Sequence, residues 1–279
     1  MHKLILQKTA FTNTEKQFFE EKFGTQLKEY TTYSEMLLNK IPGNDVLLQI
    51  SSTYNLDVNV LPEEFEPSSV KLVVSDMDST LINIECVDEI ADFAGVKAEV
   101  SKVTEAAMRG ELDFAGSLIE RVKLLTGLDE SALQRVYDER LKLNPGAEKM
   151  LQGLKERNIK FALVSGGFTF FTDRLKNRLA LDYTLSNTLE RENGRLTGAV
   201  VGDIIGAEAK AAFLLEKCRE LKISPNQAVA IGDGANDLKM MSEAGLGIAY
   251  HAKPKVQKEA DCSLNYSGLE GLLSLLSID

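Results

Sequence analysis

The stretch VVSDMDSTLINIE, Val73 to Glu85, decides the fold. With Leu72 it begins as an apolar run, then sets two aspartates one residue apart, Asp76 and Asp78, followed by the hydroxyls of Ser79 and Thr80. Buried carboxylates are costly unless they have partners. Side chains two apart on an extended segment leave on the same side, so Asp76 and Asp78 read as a pair facing one volume at the end of a strand.

Around this stretch, short apolar segments alternate with longer helical patterns. Strands are predicted over 71–75, 159–164, 228–231 and 246–250. Between them GAEKMLQGLKERN, AEAKAAFLLEKCRELK and NDLKMMSEAG carry apolar residues at three- and four-residue steps, as helices with one buried face do. Such alternation favours a parallel sheet covered by helices, with ligands beyond the C-terminal strand ends. From Glu85 to Asn144 the pattern is helical without a good strand, which predicts a helical cap over those strand ends. LERENGRLTG, Leu189 to Gly198, reads as a hairpin about an Asn-Gly turn.

The amino-terminal part reads separately. HKLILQK alternates like a strand, TNTEKQFFEEKF looks like a short helix capped by Thr or Asn, and NDVLLQI is predicted to return to strand. LPEEFEPSS, residues 61–69, has the composition of a linker. The expected organisation is a small α+β domain over 1–68 and a main α/β domain over 69–279, with the cap inserted at about 86–143.

Composition narrows the function. With 44% hydrophobic and 27% charged residues, the 279-residue chain is ordinary for a soluble globular protein. A formal net charge of -10 argues against nucleic acid or an anionic membrane as partner. Cys86, Cys218 and Cys262 are an odd number without metal spacing, which suits reduced thiols in the cytoplasm. No apolar run approaches the ~20 residues that span a bilayer, and no basic leader with a cleavage site opens the sequence. Only His2 and His251 are present, so a histidine-rich zinc site or a histidine triad is not expected.

A second acidic group, in AIGDGANDLKM, places Asp233 after a predicted strand and Asp237 at the start of a helix. If both loops share one sheet edge, four carboxylates converge and need a cation. Hard oxygen donors point to Mg²⁺. Such a site suits phosphoryl transfer: Asp76 attacks phosphorus, while Asp78 protonates the departing alcohol and later takes a proton from water. Ser165, Gly166 and Gly167 in LVSGGF suit a phosphate oxygen, and Lys210 is the best fixed cation. Taken singly, each signal has a plainer reading. An Asp-x-Asp is weak, GDGAND also fits a loop that uses glycine conformations and a helix cap, and Lys210 also fits a solvated position.

Together, DMDST, VSGG, Lys210 and GDGANDLKM resemble the four ordered motifs of the haloacid dehalogenase-type phosphotransferases. Over about residues 71–275, and through ECVDEIA at Glu85 to Ala91, the chain is most similar to the phosphoserine phosphatase branch. The resemblance implies a Rossmann-like hydrolase core and Mg-dependent hydrolysis of O-phospho-L-serine, the last step of serine biosynthesis. It makes Asp76 the nucleophile and Asp78 the acid and base, with Mg²⁺ on Asp76, Asp78 (through its carbonyl), Asp233 and Asp237. Ser165, Gly166 and Lys210 would bind the phosphoryl group, with Asn236 in support. Glu85 would meet the substrate ammonium and Arg121 its carboxylate, while Met108 and Phe114 close over the ligand.

An arginine and an acid match the two charged ends of an amino acid, and the planar guanidinium suits a carboxylate. Phosphothreonine, phosphohomoserine or phosphoryl transfer to another alcohol remain alternatives, since a methyl or methylene changes discrimination by only ~1 to 3 kcal/mol. A phosphosugar or nucleotide monophosphatase would leave Glu85 and Arg121 without a role, and a catalytically silent amino-acid-binding protein would not need Asp76 or Asp78. The first 70 residues leave open a shortened ACT-like regulatory module, an inert extension, or a dimerisation surface that would make a homodimer.

Overall fold

The structure is a computed structural model and describes all residues except Thr9 and Gly110, and the side chains of all others except Asn44 and Met108. Its first strand, β1 (His2–Leu6), is followed by α1 (Asn13–Phe23), β2 (Lys28–Glu29), β3 (Ser34–Leu38), α2 (Asn44–Tyr54) and β4 (Val58–Val60). The sheet order is β2-β3-β1-β4 and every pairing is antiparallel, a split βαββαβ arrangement. Thr12 caps α1 as expected, in a capping box with Glu15. Leu4 and Leu6 pack under the helices with Phe19 and Met36, while Ile5 points the other way into the main core.

NDVLLQI, expected as a strand, is instead the first part of α2. Val46, Leu47, Ile50 and Tyr54 recur at helical spacing and turn together onto the sheet, while Leu48 between them is 63% exposed. That is a period of 3.6 rather than two. Gly43 leads in with extended backbone and Asn55 ends the helix in the left-handed region. The linker-like stretch is not free chain either. Leu61 and Phe65 are buried in the main core, and only Pro67–Ser69 forms a short helical turn.

The main sheet begins at β5 (Leu72–Ser75). The chain then runs through the cap helices α3 (Cys86–Ala94), α4 (Lys97–Met108), α5 (Phe114–Lys123) and α6 (Ser131–Glu139). It returns by α7 (Ala147–Glu156) to β6 (Lys160–Phe168), α8 (Thr169–Leu179), β7 (Tyr183–Glu192) and β8 (Arg195–Val201). The remaining elements are α9 (Ala207–Leu221), β9 (Ala228–Gly232), α10 (Leu238–Glu243), β10 (Leu246–Tyr250), α11 (Pro254–Glu259), β11 (Cys262–Leu264) and α12 (Gly271–Leu275). Strand order is β11-β10-β9-β5-β6-β7-β8, parallel throughout except for β7 with β8. This is the expected Rossmann-like α/β core with a helical cap.

Alternation on β5 shows why the strand is apolar on both faces. Leu72 and Val74 join Phe213, Leu214 and Met240 in one helical layer, and Val73 joins Met77, Phe168 and Phe171 in the other. The chain moves outward from β5 through β6 and β7, then returns to β9 on the opposite side of β5. The C-terminal end of β5 is therefore a topological switch point, where open α/β sheets leave a crevice for ligands.

Two seams join these parts. Asn193 and Gly194 turn the β7–β8 hairpin with φ of 51° and 77°, as a two-residue turn with Asn-Gly requires. The hairpin meets the cap: Gly127 N donates to Leu196 O (2.8 Å), Leu196 N to Leu128 O (2.9 Å) and Glu130 N to Gly194 O (3.0 Å). The other seam ties β4 to β11. The Asn59 side chain donates to Ser263 O and accepts from Ser263 N, at 2.9 and 2.8 Å. The buried Asp57 carboxylate accepts from the backbone N–H of Asn265, Tyr266 and Ser267.

Candidate active site

Asp76 follows β5 directly, still in extended backbone, and the chain then makes an irregular turn over Met77–Leu81. Asp78 stays extended (ψ 135°), while Ser79 enters the left-handed region with φ of 55°. The turn points its side chains in different directions. Asp76 faces the sheet end, the Ser79 hydroxyl donates to Glu85 Oε1 (2.8 Å), and the Thr80 hydroxyl donates to Asp233 Oδ1 (3.3 Å).

Lys210, on the first turn of α9, is fully buried and bridges two carboxylates. Its Nζ lies 2.7 Å from Asp76 Oδ1 and 2.7 Å from Asp237 Oδ1. Burial alone would lower this lysine, but Asp237 and Asp76 outweigh it and hold it well above the ordinary range. Asp237 Oδ2 also accepts from Gly234 N, closing the turn after β9 (3.0 Å). Gly232 has no room for a Cβ, which would lie 2.4 Å from that same carboxylate oxygen.

One carboxylate oxygen from each of Asp76, Asp233 and Asp237 lies within 4.8 Å of the others. Three carboxylates against one ammonium leave excess negative charge in a nearly dry volume. Burial, then Asp237, raise Asp76 well above the carboxylate range, and the same two causes push Asp233 up to about 6. These are the shifts that a bound cation reverses, and the all-oxygen donor set fits a hard divalent ion.

Asp78 is held beside this cluster. Cys86 N donates to its Oδ1 (2.8 Å) and the Ser165 hydroxyl to its Oδ2 (3.2 Å). Burial raises its pKa, partly offset by the hydrogen bonds from Cys86 and Ser165. Ser165 lies on β6 and accepts from Gly167 N (2.7 Å). A Cβ at Gly167 would stand 2.6 Å from Asp78 Oδ2, and one at Gly166 would stand 2.6 Å from the Phe114 ring. The two glycines thus let the strand end approach both the acid and the cap.

From the cap, Phe114 opens α5 and lays its ring against Gly166 and Gly206. Glu85 is the residue before α3, and burial, then Asp78, push its pKa up to about 7. Arg121 on α5 donates through Nε to Ser117 O (3.2 Å). Burial lowers its pKa, while Asp88, Glu85 and Asp78 act to keep its charge. The structure therefore brings Asp76, Asp78, Ser165, Gly166, Lys210, Asp233 and Asp237 to one strand end, with Glu85 and Phe114 reaching it from the cap, while Arg121 stays bonded to its own helix within the field of Glu85 and Asp78. Asn236 lies half-buried in the turn beside Asp237, and among the described residues Lys210 is bonded by Asp76 and Asp237, not by Asn236. Met108 is the last residue of α4, and its side chain lies outside the described ones.

Sequence reasoning missed the residues behind this layer. Asn187, buried on β7, donates to Gly166 O and accepts from Ile205 N, both at 2.8 Å, fixing the loop under Phe114. No sequence signal singled it out, because β7 reads YTLSNTLERE with Thr and Ser on either side of it. Thr80 and Ser79 were visible as hydroxyls, but their partners Asp233 and Glu85 depend on the irregular turn.

A sequence model of the haloacid dehalogenase-like hydrolases matches residues 70–245, and the chain belongs to that family. Within it, the similarity is to phosphoserine phosphatases. The phosphoserine phosphatase of Polaromonas sp. is 56% identical over 226 residues, covering 79% of this chain and 96% of that protein. Among solved structures, a haloacid dehalogenase family hydrolase from Salmonella enterica serovar Typhi superposes with a TM-score of 0.90 at 34% identity, over 99% of this chain and 98% of that one. A phospho-aspartyl intermediate analogue of phosphoserine phosphatase superposes with a TM-score of 0.70 at 40% identity, covering 75% of this chain and 99% of that one.

Proposed function

We propose that this protein hydrolyses O-phospho-L-serine to L-serine and phosphate through an aspartyl-phosphate, completing serine biosynthesis in the cytoplasm. The observation that carries the reading is the meeting of two sets of groups. The phosphoryl-transfer set of Asp76, Asp78, Lys210, Asp233 and Asp237 lies at the sheet end, with Glu85 reaching it from the cap and Arg121 on the cap within the field of Glu85 and Asp78. The phosphoserine phosphatase relatives and the intermediate analogue support the same chemistry.

Asp76 Oδ attacks phosphorus and forms the acyl-phosphate bond as the bond from phosphorus to the serine oxygen breaks. Asp78, whose pKa burial raises, in its acid form gives its proton to that departing oxygen. The resulting Asp78 carboxylate then takes a proton from water as the water oxygen attacks the phospho-aspartate, releasing phosphate and free Asp76. Ser165, the backbone at Gly166 and Lys210 hold the phosphoryl oxygens, with Asn236 beside them. Glu85 and Arg121 take the substrate ammonium and carboxylate, with Phe114 and Met108 closing the apolar side. Mg²⁺, held by Asp76, the Asp78 carbonyl, Asp233 and Asp237, would neutralise charge on the transferring group.

Residues 1–68 are a separate ACT-like unit in this reading, which their βαββαβ order favours over an inert extension. A homodimer through that unit is the accompanying expectation, to be read from the mass in solution.

The test is phosphate release from L-phosphoserine, D-phosphoserine, phosphothreonine, phosphohomoserine, a sugar phosphate and a nucleotide, with Mg²⁺ and with chelator. Metal-dependent preference for L-phosphoserine is expected. Preference for a sugar phosphate or nucleotide would retain Asp76 as nucleophile and remove the roles of Glu85 and Arg121.

A further inference from the structure

The chain leaves the core for the cap just after the catalytic turn and comes back at Asn144. The two crossings are stitched together. Ile82 pairs with Leu143 in an antiparallel bridge, Asn83 N donates to Lys142 O (3.0 Å), and Lys142 N donates to the Asn83 side-chain oxygen (2.8 Å). At the end of this ribbon nearest the active site, Asn144 N donates to Leu81 O (3.0 Å). Its side-chain Nδ2 reaches Thr80 O (2.8 Å), Ile82 O (3.1 Å) and Ser79 O (3.3 Å).

A primary amide has two N–H donors. Three carbonyls therefore lie within reach of two donors, Thr80 O at the shortest distance. Thr80 and Ile82 are fully buried, so these carbonyls have no ready substitute in water. Two of the three residues held this way also serve the reaction through another group. Ser79 holds Glu85, Thr80 holds Asp233, and Ser79 directly follows Asp78 in the left-handed backbone region that L-residues adopt uncommonly.

We infer that Asn144 is a positioning residue for the reaction: its amide fixes the carbonyls of residues 79, 80 and 82, and thereby the aim of Asp78. Asn144 touches neither the carboxylate cluster nor Lys210, and acts only through the turn. It also makes that aim depend on the cap, because the amide belongs to the strand by which the cap returns. The inference rests on the reading of Asp78 as the proton donor to the leaving oxygen.

The test compares Asn144→Ala on two substrates in the full chain. One is the alkyl phosphate that the wild type turns over fastest, O-phosphoserine on the reading above, and the other is p-nitrophenyl phosphate. An alkyl oxygen leaves poorly without a proton, whereas p-nitrophenolate leaves well, so a misaimed Asp78 affects the two unequally. On the alkyl substrate kcat/KM, which covers the steps through departure of the alcohol, is expected to fall on the order of 10- to 100-fold, with a distinctly smaller fall on the aryl substrate. Asn83→Ala, which loosens the same ribbon without touching the catalytic turn, should keep both rates. Should Asn144→Ala not fold, Asn144→Ser retains one donor and should show the same substrate contrast at reduced size. Unchanged kcat/KM on the alkyl phosphate, or equal losses of kcat/KM on both substrates, overturns the inference. A wild type that prefers an alkyl phosphate other than phosphoserine overturns the substrate reading alone.

Discussion

At the scale of single residues, the site is defined by charges that the fold has taken out of water. Glu85 is half protonated at about 7 in the free protein because burial and Asp78 disfavour its charge. Only its carboxylate form attracts an ammonium, so KM for O-phosphoserine should rise as pH falls through about 7, and Glu85→Gln should flatten that rise. A pH series of initial rates for both proteins checks this. The carboxylate cluster gives a second expectation. Asp76 and Asp233 have pKa values raised above their unfolded values, so the folded protein binds more protons than the unfolded one. Their contribution therefore becomes less favourable as pH climbs through the window from the ordinary carboxylate range to about 6 and beyond. A divalent ion removes that penalty. Added Mg²⁺ should raise Tm more at pH 7.5 than at pH 5, and a chelator should reverse the gain, as a thermal melt would show. Equal shifts at the two pH values would separate metal binding from these carboxylates.

At the scale of elements, the motif-bearing parts were legible because each required a residue type that is conspicuous. Strands ending in acid after β-branched residues, and an Asn-Gly between apolar alternations, located β5, β9 and the β7–β8 hairpin within a few residues. The βαββαβ unit was less legible. In NDVLLQI four apolar positions fit either a short buried strand or the start of a helix, and only the residues beyond the segment, through Tyr54, establish the helical period. Asn187 and Asn144 were illegible for another reason: a buried amide is recognised by its partners, and those lie 21 and up to 65 residues away in sequence. The seam between hairpin and cap also depends on one glycine. Gly198 has φ of 87°, and a Cβ there would lie 2.0 Å from Thr126 Oγ1. Gly198→Ala should therefore destabilise the protein by ~1 to 3 kcal/mol, measured by denaturant unfolding. Adding Thr126→Ala should recover the part due to collision and leave the part due to backbone strain.

At the scale of the whole molecule, the amino-terminal sheet and the catalytic sheet are joined edge to edge by few but well-buried polar contacts. Asp57 is central to them, accepting three backbone N–H groups of residues 265–267. Asp57→Ala would leave these donors to seek water, at a cost of ~1 to 3 kcal/mol for each that stays buried. The expected outcome is a lower unfolding midpoint with kcat unchanged, because the loop lies at the sheet edge away from Asp76; a large loss of kcat in the folded variant would contradict it. Among the described residues no helix is long and apolar enough to cross a membrane. The free cysteines are all buried, Cys86 among them beside Asp78.

The hairpin seam bears on how often the site is receptive. A cap lifting away whole would break the three backbone hydrogen bonds between residues 127–130 and 194–196. At ~0.5 to 1.5 kcal/mol net for each bond, those bonds alone would hold such a form to roughly one molecule in ten to one in two thousand at equilibrium, and the buried Leu196 and the Arg195 side-chain bond to Gly127 O lower it further. Were that the only form open to substrate, apparent affinity would be reduced by the same fraction. β7 is paired with β6 as far as Asn187, so only the hairpin beyond that residue could travel with the cap and escape this tax.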